Sequence, residues 1–134
     1  MKAYWLLLPA MLLIAVPARA LETYCQSSGT RVHDGGHYEA RWLVVHPKAR
    51  RVQSKTTPSC SIAYSSVGAM YRPIEIITAP KNGRARVTTT YRITYEPSKM
   101  GPDALTIRIY WIGQRGDYRT ATVRYNIEVI DRPL

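Results

Sequence analysis

Leu105–Ile112 reads LTIRIYWI and Thr120–Ile130 reads TATVRYNIEVI. In the first stretch Leu105, Ile107, Ile109 and Trp111 share one phase, and Thr106, Arg108 and Tyr110 share the other. In the second, Ala121, Val123, Tyr125, Ile127 and Val129 alternate with Thr120, Thr122, Arg124, Asn126 and Glu128. A period of two held this long places one face of a strand on a core and the other in water. Gly113-Gln114-Arg115-Gly116-Asp117 separates the two runs, so the pair predicts a hairpin. Arg108 and Arg124 then lie on the polar face of neighbouring strands, with Glu128 on the same face available to one of them.

The pattern extends upstream in shorter pieces. Tyr38, Ala40, Trp42 and Val44 form an apolar phase opposite Glu39 and Arg41, and Asp34-Gly35-Gly36 can turn that run back on Thr30–Val32. Further short runs are 51–55, 61–65, 74–78, 84–88 and 91–96, rich in Val, Ile, Thr and Tyr. Turn residues separate them, among them Thr57-Pro58-Ser59, the stretch 79–83 and the stretch 97–102. No run carries the i, i+3, i+4, i+7 apolar spacing of a helix. Short strands with turn signals at this spacing predict an all-β fold, an antiparallel sandwich, with a small β-barrel as the alternative. The repeated Arg and Lys on the weaker strands suit edges, where charge opposes edge-to-edge pairing.

The N-terminus is not part of that fold. Lys2 is followed by the uncharged run Ala3–Val16, then Pro17 and Ala18-Arg19-Ala20, the arrangement of a cleaved export signal over residues 1–20. The apolar run is shorter than the ~20 residues that cross a bilayer as a helix, so no transmembrane span is expected in the mature chain. Removing the leader, with Lys2 and Arg19, leaves 114 residues with 17 basic and nine acidic side chains, a net charge of +8. A chain of this size forms one domain, residues 21–134, burying about two-thirds of its unfolded surface. Export to the periplasm or medium, with an even cysteine count, predicts a Cys25–Cys60 disulfide.

From residue 79 onward the turn chemistry carries a resemblance. Pro80 and Gly83, Tyr95 and Pro97, and Gly101-Pro102-Asp103 follow one another in a pattern that resembles the immunoglobulin-like and cadherin-like modules of exported bacterial proteins. The similarity spans roughly residues 79–130. Leu105 stands where such modules often have an aromatic, and the antibody arrangement of Cys, Trp and Cys is not matched. The resemblance implies an immunoglobulin-like β-sandwich used for adhesion, spacing or binding, and it brings no catalytic residue.

Other constellations are sparse. There is no G-x-S-x-G, H-E-x-x-H or C-x-x-C motif. Of the nine acids only Glu96 and Asp103 approach each other around one turn, and Asp103 beside Gly101-Pro102 reads as a loop cap. His33, Asp34 and His37 supply nitrogen and oxygen donors close together, so a metal-dependent or hydrolytic protein using that loop is one alternative. A protease inhibitor presenting the loop 97–102 is another. Arg outnumbers Lys 14 to 5, and arginines interleave with Tyr91, Tyr110 and Tyr118 in the second half. Guanidinium groups bind carboxylate and phosphate in a bidentate manner. The reading is therefore a non-enzymatic, cofactor-free binding or structural domain. Its expected anion site is Arg108, Arg124 and Tyr110, the last stacking on a ring or sugar. The expected partner is an acidic glycan, lipid head group or protein of the cell envelope, since export argues against nucleic acid.

Overall fold

In the computed structural model, residues 24–29, 31–50, 59–64, 69–132 and 134 are described. The leader, residues 1–20, and the run at 51–55 lie outside them. Among these residues eight strands follow in chain order: β1 (Cys25–Ser27), β2 (His37–Val45), β3 (Cys60–Ala63), β4 (Glu75–Thr78), β5 (Gly83–Thr89), β6 (Arg92–Pro97), β7 (Gly101–Ile112) and β8 (Tyr118–Ile130). A 3-10 turn at Pro47–Ala49 follows β2. The strands form two sheets, one ordered β1-β2-β8-β7-β4 and one ordered β3-β6-β5. The fold is an all-β sandwich, not a closed barrel.

The two long runs that announce the fold are β7 and β8. They pair antiparallel in continuous register from Gly101↔Val129 to Ile112↔Tyr118, closed by the Gly113–Asp117 turn. Their apolar phases face inward, and Leu105, Ile107, Ile109 and Val123 are fully buried. β2 adds Ala40, Trp42 and Val44, and β6 adds Ile93 and Tyr95 from the opposite sheet. Trp42 sits at the centre, its ring 5.8 Å from that of Tyr95 and 5.5 Å from that of Tyr125. Aromatic residues from both sheets thus meet at one point, where tilted ring pairs add to the burial term. The Tyr64 and Tyr125 hydroxyls hydrogen-bond to each other inside the core, which satisfies two groups that would otherwise be costly to bury.

Two features differ from the expected arrangement. β2 pairs with β8 in parallel, His37↔Thr122 through Val45↔Ile130, whereas an antiparallel sandwich was expected throughout. Alternation fixes which face of a strand is buried but not its direction, so periodicity could not distinguish the two. The Asp34–Gly36 turn also does not fold the chain back onto residues 31–32, which form no strand; Thr30 lies outside the described residues. The strand that pairs with β2 on that side is β1, with Cys25↔Val44 and Ser27↔Trp42. The turn is instead fastened to β8: Gly35 N–H donates to Thr120 O at 2.8 Å, and Thr120 N–H donates to Asp34 Oδ1 at 2.9 Å.

Cys25 on β1 and Cys60 on β3 are disulfide-bonded, with Cα atoms 5.9 Å apart. The bridge joins the outer strands of the two sheets on one side of the sandwich. β4 and β5 therefore edge the other side, linked by the loop 79–82.

Candidate functional site

Every strand of the five-stranded sheet turns its second phase outward, and the registers place these side chains in rows. One row runs Glu39, Arg124, Thr106; the next runs Arg41, Asn126, Ala104; a third runs His37, Thr122, Arg108, Glu75. Arg108 and Arg124 share this face as expected, but each stands opposite a threonine across the β7–β8 ladder, so they are diagonal neighbours. Their partners also differ from expectation. Arg108 Nη1 lies 4.0 Å from Glu75 Oε1, and Arg124 Nε donates to Asn126 Oδ1 at 3.2 Å. Glu128 forms an ion pair with neither.

Tyr110 belongs to the same face but not as a bare ring. It is only 8% exposed, and its hydroxyl donates to Glu75 Oε2 at 3.1 Å. The Arg72 guanidinium lies over the ring, 4.5 Å from its centroid, and Tyr71 packs edge-on against it. A ligand could stack on Tyr110 only by displacing Arg72. Tyr71 and Arg72 were not legible as part of this face, because residues 69–73 carry no strand periodicity. Their segment is tied to the sheet by the Ile112 N–H to Ala69 O bond at 2.9 Å, by Tyr71 against the Tyr118 ring and by Arg72 beside Glu75.

Two hollows interrupt the face. The larger, about 610 Å³, has Ala104, Thr106 and Asn126 on its floor, with Arg41, Lys81, Arg124 and Glu128 around it. It exists because β7 presents two small side chains where its neighbours are long, and because the loop 79–82 stands up as a wall. The smaller, about 280 Å³, is lined by Arg108, Tyr110, His37 and Thr120 among others. The sheet thus separates the three expected residues: Arg124 serves the larger hollow, Arg108 and Tyr110 the smaller. At the larger hollow Arg41, Lys81 and Arg124 have no carboxylate within 4.0 Å among the described residues. Arg41 was visible in the polar phase of β2. Lys81 was not visible, since only the fold brings its loop beside the sheet.

The wall of the larger hollow is held by Asp103. Its Oδ1 accepts from Lys81 N–H and Ala104 N–H, both at 2.9 Å. Its Oδ2 accepts from Asn82 N–H at 3.0 Å and from the Tyr95 hydroxyl at 2.8 Å. Burial, and then this bond to a carboxylate, push the Tyr95 phenol well above its ordinary range. Asn82 adds a side-chain bond to Pro102 O at 3.2 Å, and its carbonyl accepts Ser98 N–H at 2.9 Å. Gly83 is needed here because a Cβ on it would come within 2.5 Å of the Tyr95 ring. Gly101 is needed because its φ is +103°, a backbone region that L side chains rarely adopt. Of the turn residues that carry the resemblance, Gly83, Tyr95, Pro102 and Asp103 therefore meet in one clasp between the sheets. Asp103 is the loop cap that the sequence indicated, and all of its acceptor positions face donors.

At the other candidate loop, Asp34 Oδ1 accepts from the Thr120 backbone N–H, and the backbone N–H of His33 donates to the Tyr38 hydroxyl at 2.7 Å. Among the described residues no three His, Cys, Asp or Glu side chains gather as metal ligands. Half of the loop 97–102 belongs to strands, Pro97 to β6 and Gly101 and Pro102 to β7, leaving Ser98-Lys99-Met100 as one connection between the sheets. Among the described residues no helix is long and apolar enough to cross a membrane. In comparison with known proteins, no family model, no curated protein and no solved structure matches the chain.

Proposed function

We propose that this protein is an exported, non-enzymatic binding domain that receives an acidic group of a cell-envelope component in the larger hollow of the five-stranded sheet. The observation that carries the reading is the trio Arg41, Lys81 and Arg124 around a hollow of about 610 Å³, with no carboxylate within ion-pair distance of any of them. Cations held near a concave surface focus potential on it, and guanidinium groups supply paired donors to carboxylate or phosphate. The floor of Ala104, Thr106 and Asn126 leaves room for the group and offers it an amide and a hydroxyl. The clasp at Asp103 keeps the Lys81 wall in place before the ligand arrives, which lowers the ordering cost of binding.

Export rests on the leader and is supported by the inter-sheet disulfide, a bond that persists in oxidising compartments. Such a domain would act in the periplasm or medium as an immunoglobulin-like binding module. The experiment is a capture from envelope extract with the mature chain, residues 21–134, at low and high salt. Recovery of an anionic component at low salt, lost at high salt, supports the reading, because screening shortens the Debye length from about 10 Å at 0.1 M to about 3 Å at 1 M. A salt-independent partner, or none, argues against it.

A further inference from the structure

The three-stranded sheet ends on β5, and among the described residues β5 pairs only with β6. Among the described residues no strand lies on its other side, whose backbone N–H and C=O groups are the template on which an additional strand can form. The side chains of β5 divide into two rows. Arg84 and Arg86 are exposed on the outer face, and among the described residues neither has a carboxylate within 4.0 Å. Ala85 and Val87 are half-buried and pack against the core, which is therefore incompletely covered at this edge. β4, the edge of the opposite sheet on the same side, adds half-buried Ile76, which packs against the core, and exposed Ile77.

From this juxtaposition we propose that the β5 edge is a docking site for an extended segment of another protein in which Asp or Glu alternates with Val, Ile or Leu. A strand added to β5 places its residues in the same two phases as β5 itself. Its outward phase falls beside Arg84 and Arg86, where directly opposed residues are about 4.5–5.5 Å apart and opposite charges stabilise the pair. Its inward phase falls beside Ala85 and Val87 and covers the half-open apolar row. A second copy of this chain is a poor occupant, since β5 against β5 brings arginine rows together and like charges directly opposed are destabilising. The register shift between Val87 and Thr89 limits the regular pairing stretch to Gly83–Val87. The site is independent of the hollow on the other sheet.

The test uses the mature chain, isotope-labelled, and the peptide Thr-Glu-Val-Glu-Val-Glu-Thr. Amide shift changes should centre on residues 83–87. Two N-methylated versions, one for each edge of the peptide backbone, should behave differently: one set abolishes binding and the other preserves it. Arg84→Glu with Arg86→Glu should weaken binding by roughly tenfold or more, and the peptide with Lys in place of Glu should bind that variant. Both positions are exposed, so the variant keeps the fold. No response at β5, equal binding of a peptide with the same residues in block order, indifference to both N-methylation patterns, or failure of the Lys peptide to bind the charge-reversed variant would each overturn the proposal.

Discussion

Asp103→Asn changes one atom of the side chain and should cost a large part of this domain's stability. The carboxylate accepts four hydrogen bonds, two at each oxygen. An amide has a single acceptor oxygen, so in one orientation its NH₂ faces Asn82 N–H and the Tyr95 hydroxyl. In the other it faces Lys81 N–H and Ala104 N–H. In the second orientation both N–H groups lose their acceptor. In the first Asn82 N–H does, while the Tyr95 hydroxyl can turn to accept and exchanges a charge-assisted bond for a neutral one. Each charge-assisted bond is worth about 1.5–3 kcal/mol. Because Asp103 is half-buried, the lower end applies and the expected loss is up to about 3 kcal/mol. That is a sizeable share of the 5–15 kcal/mol typical of a domain. It corresponds to a fall in Tm of up to about 12 °C at this size. Urea unfolding of the mature chain, followed by far-ultraviolet circular dichroism, measures it. Tyr95→Phe removes only one of the four bonds and should cost about half as much. Combining it with Asp103→Asn should give a loss smaller than the sum of the two, because the partners are in contact. An Asp103→Asn chain within about 0.5 kcal/mol of wild type, the range of ordinary surface substitutions, would refute the reasoning that the clasp holds the sheets together.

Three other outcomes are expected. Replacing Cys25 and Cys60 with Ser should lower stability by about 4 kcal/mol, the loop-closure value for a separation of 35 residues, read as a shift of the urea midpoint against wild type. Stability should fall as pH rises above about 10, the ordinary phenol range. Burial pushes Tyr125 up to about 12, and burial likewise raises Tyr64 and Tyr95. The unfolded chain therefore sheds these protons before the folded one does, and each such phenol removes about 1.4 kcal/mol per pH unit across the interval between its two values. Phenolate absorbance should show Tyr64, Tyr95 and Tyr125 ionising only with unfolding. In exported protein, intact mass should correspond to a chain beginning at Leu21, and a mass retaining residues 1–20 would contradict the export signal.

The long strands were legible because each is half-buried: alternation over residues 105–112 and 120–130 reports a core on one side, and the structure extends both runs by only a few residues toward their turns. The direction of β2 was not legible, since a parallel and an antiparallel neighbour can bury the same phase. The short strand β1 was missed because Cys-Gln-Ser has little periodicity to read. Its place is set by the ladder to Trp42–Val44 and by the disulfide. At the site, the polar phase placed Arg108 and Arg124 on the right face, but a one-dimensional pattern cannot show which residues on other strands stand beside them. Glu75 and Asn126 take those roles through the β4–β7 ladder and local geometry along β8. Lys81 reached the hollow only through the clasp, whose turn residues were visible individually while their convergence on one carboxylate was not. Tyr110 was legible as an outward residue, yet its cover came from Tyr71 and Arg72 in a segment without strand pattern.

The most direct test of the binding account is a titration of the mature chain against heparin, polygalacturonate, lipopolysaccharide and anionic phospholipid vesicles. Wild type is compared with Arg41→Ala/Arg124→Ala and with Arg84→Ala/Arg86→Ala, two variants of equal net charge. The account predicts that at least one of these anions binds wild type in a salt-sensitive manner, that the Arg41/Arg124 variant loses roughly tenfold or more in affinity, as expected for two charge-assisted contacts of about 1.5 kcal/mol or less each, and that the Arg84/Arg86 variant binds like wild type. Equal weakening in both variants would show that overall charge and not the hollow governs binding, and absence of binding by wild type to all four would contradict the account outright.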